Sequence, residues 1–492
     1  MELDPRDLRI AELECLLSAA LARIEAQEKR IAEQDRIIAQ QSARIAELEA
    51  RLGMNSTNSS KPPSTDGPQV KRPPTPPTGR KRGGQPGHKG HTRVLVPPEQ
   101  VDDLQKVLPP SCEHCGLVFP PGSGADDPAP WRLQWVDIPS PRPVHRERQL
   151  CAADCPRCRK RTRARIPDGV PDGGFGPGVT AAVGLLTGRG HLSKRTAAEV
   201  LDDLFAIQAS PASICAMERT VSRAVAAPVE QAREAVRVQS VAHADETGWR
   251  ESKKKAWLWV VVTAVATVFR IAPSRGAKVI QEMLGAHFAG RLVTDRWSAY
   301  NWVGVWMRQL CWAHLLRDFA GMVERGGVGG PIAEEILSHA ERMFEWWPRV
   351  RDGTMARATF QQLMVPVREA VGGLLRKAQT CAEKKTAGMC REILKLEPAL
   401  WTFIDVEGIE PTNNVAERSG RPAVLWRKGC FGTDSPDGSR YVERVLTVIA
   451  TRRQHKLGVF DFLADACQRY FDHRPAPSLL PAPIAPGLAT AA

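Results

Sequence analysis

The 492-residue chain has no charged-then-apolar leader at its N-terminus, and no apolar run long enough to span a bilayer. The longest such run, AWLWVVVTAVATVF over 256–269, is rich in valine and reads as buried strand. These absences argue against secretion and membrane insertion and lead us to expect a cytosolic protein. Acidic residues are in deficit. The 55 Asp and Glu face 68 Lys and Arg, leaving a formal charge of +13 and a pI near 9.3, a balance that favours a polyanionic partner. The twelve cysteines are scattered along the chain, so thiols or metal ligands are expected rather than a disulfide framework. At this length roughly two to four domains are expected.

Residues 1–52 contain no glycine, and no proline after Pro5. Ile10, Leu17, Ile24, Ile31, Ile38, Ile45 and Leu52 recur at intervals of seven. The spacing predicts a coiled-coil oligomerisation helix, and the β-branched residues favour two parallel strands. The companion position carries Gln27, Gln34 and Gln41, which weaken the seam and can fix its register. An amphipathic helix packed on its own chain is the other reading. Over 53–100 follows a basic, Pro/Gly-rich linker that cannot build a core. Its segment GRKRGGQPGHKGH supplies Arg80, Lys81, Arg82 and Lys89 as candidate DNA contacts; the plain alternative is a solvated basic linker.

In 101–168, CEHC (Cys112, Cys115) and CPRC (Cys155, Cys158) form two Cys-x-x-Cys knuckles. Together they can hold one structural Zn²⁺ with four thiolates. Cys151 and His114 are spare candidates, and a redox role for either pair is the rival reading. The long gap between the knuckles is expected to hold a hairpin made of WRLQWVDIP and PVHRERQLC. Residues 169–236 read as helical. A break near 206–208 is followed by Ser210 as N-cap and Pro211 at the first helical position. The spacing fits a helix-turn-helix and equally a plain helical hairpin.

From 237 to 470 the pattern is α/β: strands at QSVAHADETGWR, AWLWVVVTAVATVFRIAPSR, GRLVTDRWSAY and RQLCWAHLLRDFA, interleaved with helices. Residues 320–405 carry helical patterns alone, and 471–492 are expected to be a disordered tail. Asp245 and Asp295 each read as closing an apolar strand, where an unpaired carboxylate is costly. Each alone is more often a turn or cap residue; together they can share divalent ions. Mg²⁺ requires oxygen ligands, which makes the nearby His243 and His314 weak candidates. In GIEPTNNVAERSGRPAV (408–424), Asn414 and Glu417 form a variant of the capping box. Glu417 also fills the place of a third acid if that helix packs on the sheet.

HADETGW, VTDRWSAY, CWAHLLRDF and PTNNVAERSGR, in this order and spacing, resemble the DDE transposases of the insertion-sequence-sixty-six family. The heptad, LGMNSTNSSKPPS, GGQPGHKGH and the cysteine pairs are also similar to that family. The resemblance implies a multidomain chain: coiled coil, small zinc-binding module, helical DNA-binding region, and an α/β RNase H-like catalytic domain with an all-helical insertion. It implies Asp245, Asp295 and Glu417 as an acid triad holding two Mg²⁺ (or Mn²⁺) ions, with Glu246 as an alternative ligand. Arg418, Arg421, Arg427 and Lys428 then face DNA phosphates, or else form a solvated basic helix face. The implied activity is cleavage at transposon ends and strand transfer of the 3′-hydroxyl into target DNA. A homo-oligomer, accessory proteins of the same element and a nucleoid-associated bacterial setting follow from it. Two rival readings are a non-catalytic, zinc-containing DNA-binding regulator and an RNase H-like nuclease without strand transfer.

Overall fold

The structure, a computed structural model, describes residues 5–54, 59, 94–138, 142–171 and 173–480. The basic segment bearing Arg80, Lys81, Arg82 and Lys89 lies outside these residues. Helix α1 (Pro5–Gly53) has 49 residues and runs for roughly 73 Å at 1.5 Å per residue. Its heptad side chains are exposed along the whole seam; Ile24, Ile31 and Ile38 retain 51%, 56% and 58% of their accessible surface.

The chain divides into two compact units, the smaller comprising Pro73–Gln149 and Ala198–Ala209. In the smaller unit a bridge between Ser111 and Val118 closes the first cysteine knuckle. The two strands expected from WRLQWVDIP and PVHRERQLC do not form among the described residues. The Gln134 side chain instead pairs with both backbone groups of Val96, at 2.9 and 2.8 Å.

In the larger unit, β1 (Ala152–Asp154) and β2 (Arg161–Arg163) make a short antiparallel hairpin around the second knuckle. Next come α2 (Pro177–Gly188), α3 (Lys194–Phe205, divided between the units), α4 (Pro211–Ala224) and α5 (Ala226–Arg237). The Ser210 side chain caps α4 by accepting from Ser213 N at 3.1 Å, with Pro211 following as expected. Strands β3 (Val241–Glu251), β4 (Lys254–Val262) and β5 (Thr267–Ala272) form an antiparallel meander. The first turn of the meander is Ser252–Lys253, both at positive φ, so Lys254 and Lys255 belong to β4. After α6 (Ala277–Leu284), β6 (Arg291–Thr294) and β7 (Arg308–Leu310) pair in parallel, giving the order β5-β4-β3-β6-β7.

Helix α7 (Trp312–Arg325) leads into α8 (Gly329–Arg351), α9 (Arg357–Ala378), α10 (Lys384–Leu394) and α11 (Thr402–Asp405). As the periodicity predicts, this stretch has no strand. It builds its own core, in which Trp347 packs edge-on against Phe403 at 5.2 Å. The chain then returns to the sheet through α12 (Asn414–Cys430), α13 (Pro436–Gln454) and α14 (Val459–Phe471). Ala416, Gly420 and Ala423 line the buried face of α12, and these small residues let the helix lie close on β3 and β4.

The outer edge of β5 would expose a row of unpaired backbone groups. Helix α13 covers it with side chains spaced four residues apart. Glu443 Oε1 accepts from Ile271 N at 2.7 Å, Thr447 Oγ1 from Phe269 N at 3.1 Å, and Thr451 Oγ1 from Thr267 N at 3.1 Å. Helices α2, α4 and α5 share one core with the sheet, and Leu479, in the segment read as a disordered tail, is buried in it at 1% exposure. No helix among the described residues is long and apolar enough to cross a membrane. Thr447→Val keeps the shape but leaves the buried Phe269 N–H without an acceptor. It is expected to destabilise this unit by about 1–3 kcal/mol, checked by urea denaturation against Thr220→Val on the outer face of α4.

Candidate functional site

Strands β3 and β6 run parallel with His243 opposite Val293. Asp245 and Asp295 each stand two residues beyond that rung, so they leave neighbouring strands at one level. Asp245 does not close its strand: β3 continues to Glu251, paired with β4 throughout. The parallel pairing with β6 ends at His243, two residues before Asp245, whereas Asp295 does follow β6 directly. The Asp295 turn is set by its own carboxylate, which accepts from Trp297 N at 2.9 Å. The Trp297 indole donates to Arg275 O at 3.0 Å, and Arg296 turns aside to pair with Asp318.

Glu417 reaches the same corner from the first turn of α12. The capping box is not formed: the N-cap is Asn413, and its side chain makes no cap bond. Asn413 is buried and ties three segments together instead. Its Nδ2 donates to Ala244 O at 2.8 Å, its Oδ1 lies 3.2 Å from His243 Nδ1, and its backbone N–H donates to Cys311 Sγ at 3.1 Å. Trp312 N donates to Pro411 O at 2.9 Å and Cys311 N to Thr294 O at 2.8 Å, which joins the ends of β6 and β7 to the start of α12.

Burial pushes Asp245 up to about 8, and the negative charges of Glu246, Asp295 and Glu417 act in the same direction. Both oxygens of Glu246 already accept hydrogen bonds. Arg275 Nε donates to Oε1 at 2.8 Å and the buried Tyr300 hydroxyl donates to Oε2. Beneath Asp295 lies Arg308, fully buried on β7. Its guanidinium donates to Asn301 Oδ1 at 2.9 Å and to Thr294 Oγ1 and Asp295 O at 3.3 Å. Burial lowers Arg308 to about 10, while the Asp295 charge opposes that shift. Asn413, Tyr300, Arg275 and Arg308 were not singled out by the sequence reading. The only signal for Arg308 was a charge inside an apolar strand.

Arg418, Arg421 and Lys428 share the exposed face of α12. Arg427 is tethered, donating to Thr247 Oγ1 at 3.1 Å and to Gly248 O. Around the end of this helix and the β3–β4 turn, a groove of about 760 Å³ is lined by Arg250, Lys253, Lys255, Arg427, Lys428 and Phe431. The two cysteine knuckles share one backbone pattern. Cys112 N donates to Leu117 O and Gly116 N to Cys112 O, and Cys155 N donates to Lys160 O and Arg159 N to Cys155 O. Gly116 and Arg159, each one residue past a knuckle, both have positive φ. Backbone N–H groups within each knuckle lower the thiols of Cys112 and Cys155. No disulfide joins the cysteines, and Cys151 lies outside both loops.

The sheet is thus five-stranded and mixed, with half-buried carboxylates at adjoining positions of neighbouring strands. The model of the Transposase IS66 family matches residues 173–441, more than half of the chain, and the chain belongs to that family. A transposase acts on DNA. Residues 2–94 match a second model, described as a family of unknown function (DUF6444). No curated protein matches the chain.

Asp245 gives a pH signature. Its ordinary value is 3.8, so the metal-free folded chain keeps a proton that the unfolded chain releases. That contribution to stability is complete below the ordinary value and is lost as pH rises through about 8. The melting temperature of chelator-treated protein is expected to fall between about pH 4 and pH 8 and to level off above, and Asp245→Asn is expected to flatten the fall. Differential scanning fluorimetry across that range checks both.

Proposed function

We propose that this chain is a DNA transposase that cuts at transposon ends in a metal-dependent reaction and transfers the freed 3′-hydroxyl into target DNA. The observation that carries the reading is that Asp245 and Asp295 leave neighbouring strands at one level, with the charges of Asp295 and Glu417 close enough to raise Asp245 and, among the described residues, no basic side chain paired to it. The strand order, three antiparallel strands followed by two parallel ones, supports an RNase H-like reading of the sheet. The oxygen donors of the two aspartates suit Mg²⁺ or Mn²⁺. Glu417 Oε1 is buried without a hydrogen-bond partner, as a ligand atom awaiting a cation would be. When bound, two such ions supply Lewis acidity and charge neutralisation to a phosphodiester displacement.

The protein's own part is placement. Asp245 and Asp295 present carboxylates from neighbouring strands, and Glu417 presents the third from α12. Arg308 holds the Asp295 backbone from below. None of these acids acts as a nucleophile, so no covalent enzyme intermediate forms: water attacks at the transposon end, and the released 3′-hydroxyl attacks the target phosphodiester. The basic groove lies near Lys428, eleven residues along α12 from Glu417, or roughly 16 Å. It suits the backbone of DNA leading away from the cut, and exposed Phe431 offers a face for a base. The Cys-x-x-Cys spacing within each knuckle supports a role for these thiols in binding a structural Zn²⁺.

The exposed seam of α1 supports pairing of two chains, as holding two transposon ends requires. Ile31→Lys combined with Ile38→Lys is expected to halve the mass measured by light scattering; an unchanged mass would remove the coiled coil from the assembly. For the chemistry, Mg²⁺-dependent nicking of DNA carrying the element's ends is compared between wild type and Glu417→Gln. The variant is expected to bind DNA and lose cutting by a factor of at least about 100, since removing an essential group typically costs that much. Equal cutting by the two proteins would exclude Glu417 from the triad. Joining of the cut 3′ end to a second duplex separates the transposase from a nuclease.

A further inference from the structure

CWAHLLRDF places two residues beside Glu417 that the proposed reaction does not use. Cys311 directly follows β7 as the N-cap of α7, and His314 lies in the first turn of that helix. The ligand atoms of Cys311, His314 and Glu417 all lie within 4.8 Å of one another. His314 Nδ1 and Glu417 Oε1 are 3.5 Å apart, and both are shielded from solvent without a hydrogen-bond partner. Leaving two polar atoms buried in this way costs about 1–3 kcal/mol each, offset only by their mutual attraction when His314 is protonated.

The 3.5 Å between His314 and Glu417 falls within the roughly 3.3–3.8 Å that separates ligand atoms around one tetrahedral ion with bonds of 2.0–2.3 Å, and the Cys311 sulfur lies within 4.8 Å of both. Cys311 and His314 also repeat the two-residue gap of the cysteine knuckles. The Asn413 N–H holds the sulfur from outside the cluster, the kind of support that orients metal ligands. One sulfur, one imidazole nitrogen and one carboxylate oxygen form a set that Mg²⁺ does not favour and Zn²⁺ does.

We propose that Cys311, His314 and Glu417 form a three-ligand site for Zn²⁺ or a similarly thiophilic divalent ion, with its fourth position open. The site shares Glu417 with the oxygen-lined site of Asp245 and Asp295, and only in that residue does it rest on the transposase reading. Zn²⁺ held here draws Glu417 away from Mg²⁺, so the same ion suppresses Mg²⁺-dependent cutting.

The test counts Zn²⁺ retained per full-length chain after dialysis, without DNA. With the knuckles removed by Cys112→Ser and Cys155→Ser, about one equivalent is expected to remain. Adding His314→Gln, or separately Cys311→Ser, is expected to remove it while DNA binding persists. No Zn²⁺ on the knuckle-free chain, or an equivalent that survives both substitutions, overturns the site. Zn²⁺ is also expected to inhibit wild-type nicking more strongly than nicking by His314→Gln. Failure of the acid triad would show separately, as unimpaired Mg²⁺-dependent nicking by Glu417→Gln.

Discussion

The corner that gathers the acids depends on the side chain of Asn413. A buried amide can be satisfied only where its donors and acceptors are matched. Here the matches are Ala244 O and the His243 ring, with the Asn413 backbone on Cys311 Sγ. The partners belong to two stretches of chain distant from α12: the first part of β3 and the β7–α7 junction. The return of the chain after nearly a hundred residues of helical insertion is therefore fixed by polar contacts of defined length, where apolar contact alone would allow sliding. Glu417 stands four residues on, one helical turn past that anchor, and its position follows from it.

Around this anchor the charges are unevenly compensated. Glu246 is neutralised by Arg275 and Tyr300, and Arg296 is occupied by Asp318. Arg308 spends its hydrogen bonds on the backbone of Asp295 and on Asn301, and its charge only partly reaches the carboxylates. Asp245, with its proton held on by burial, is left in surplus. Local structural pairing thus separates carboxylates that maintain the fold from those that remain available, a distinction a list of acids cannot make.

Much of this was legible in the sequence because it rests on periodicity. The heptad of α1, the alternation of β3 to β5, the strand-to-helix passage at Cys311 and the strand-free insertion all follow from patterns of two, three and a half, or 3.6 residues. Ser210 and Pro211 announced the start of α4 by local chemistry alone. The failures share a cause of the opposite kind. Asn414 looked like the cap because a capping box is a local motif, yet Asn413 carries the structural work through partners some 170 residues away in sequence. Asp245 looked terminal because its neighbours change character there, when only the pairing partner changes. Leu479 looked unanchored because proline and alanine surround it, and its burial depends on a distant core. The hairpin expected near Trp131 had a plausible alternation and no partner strand to hold it.

The row of Glu443, Thr447 and Thr451 along β5 is a place where two rulers with different divisions are laid side by side. Four helical residues advance about 6.0 Å, while two strand residues advance about 6.7 Å, so the rungs drift by roughly 0.7 Å each. Three rungs stay within hydrogen-bond tolerance; several more would not. The short length of β5 is thus matched to what a straight helix can follow, and lengthening the strand would give α13 nothing to grip. A single residue inserted between Glu443 and Thr451 would turn the later rungs by about 100° around the helix axis and disengage them together. Along this stretch, register in a helix is constrained as tightly as register between strands.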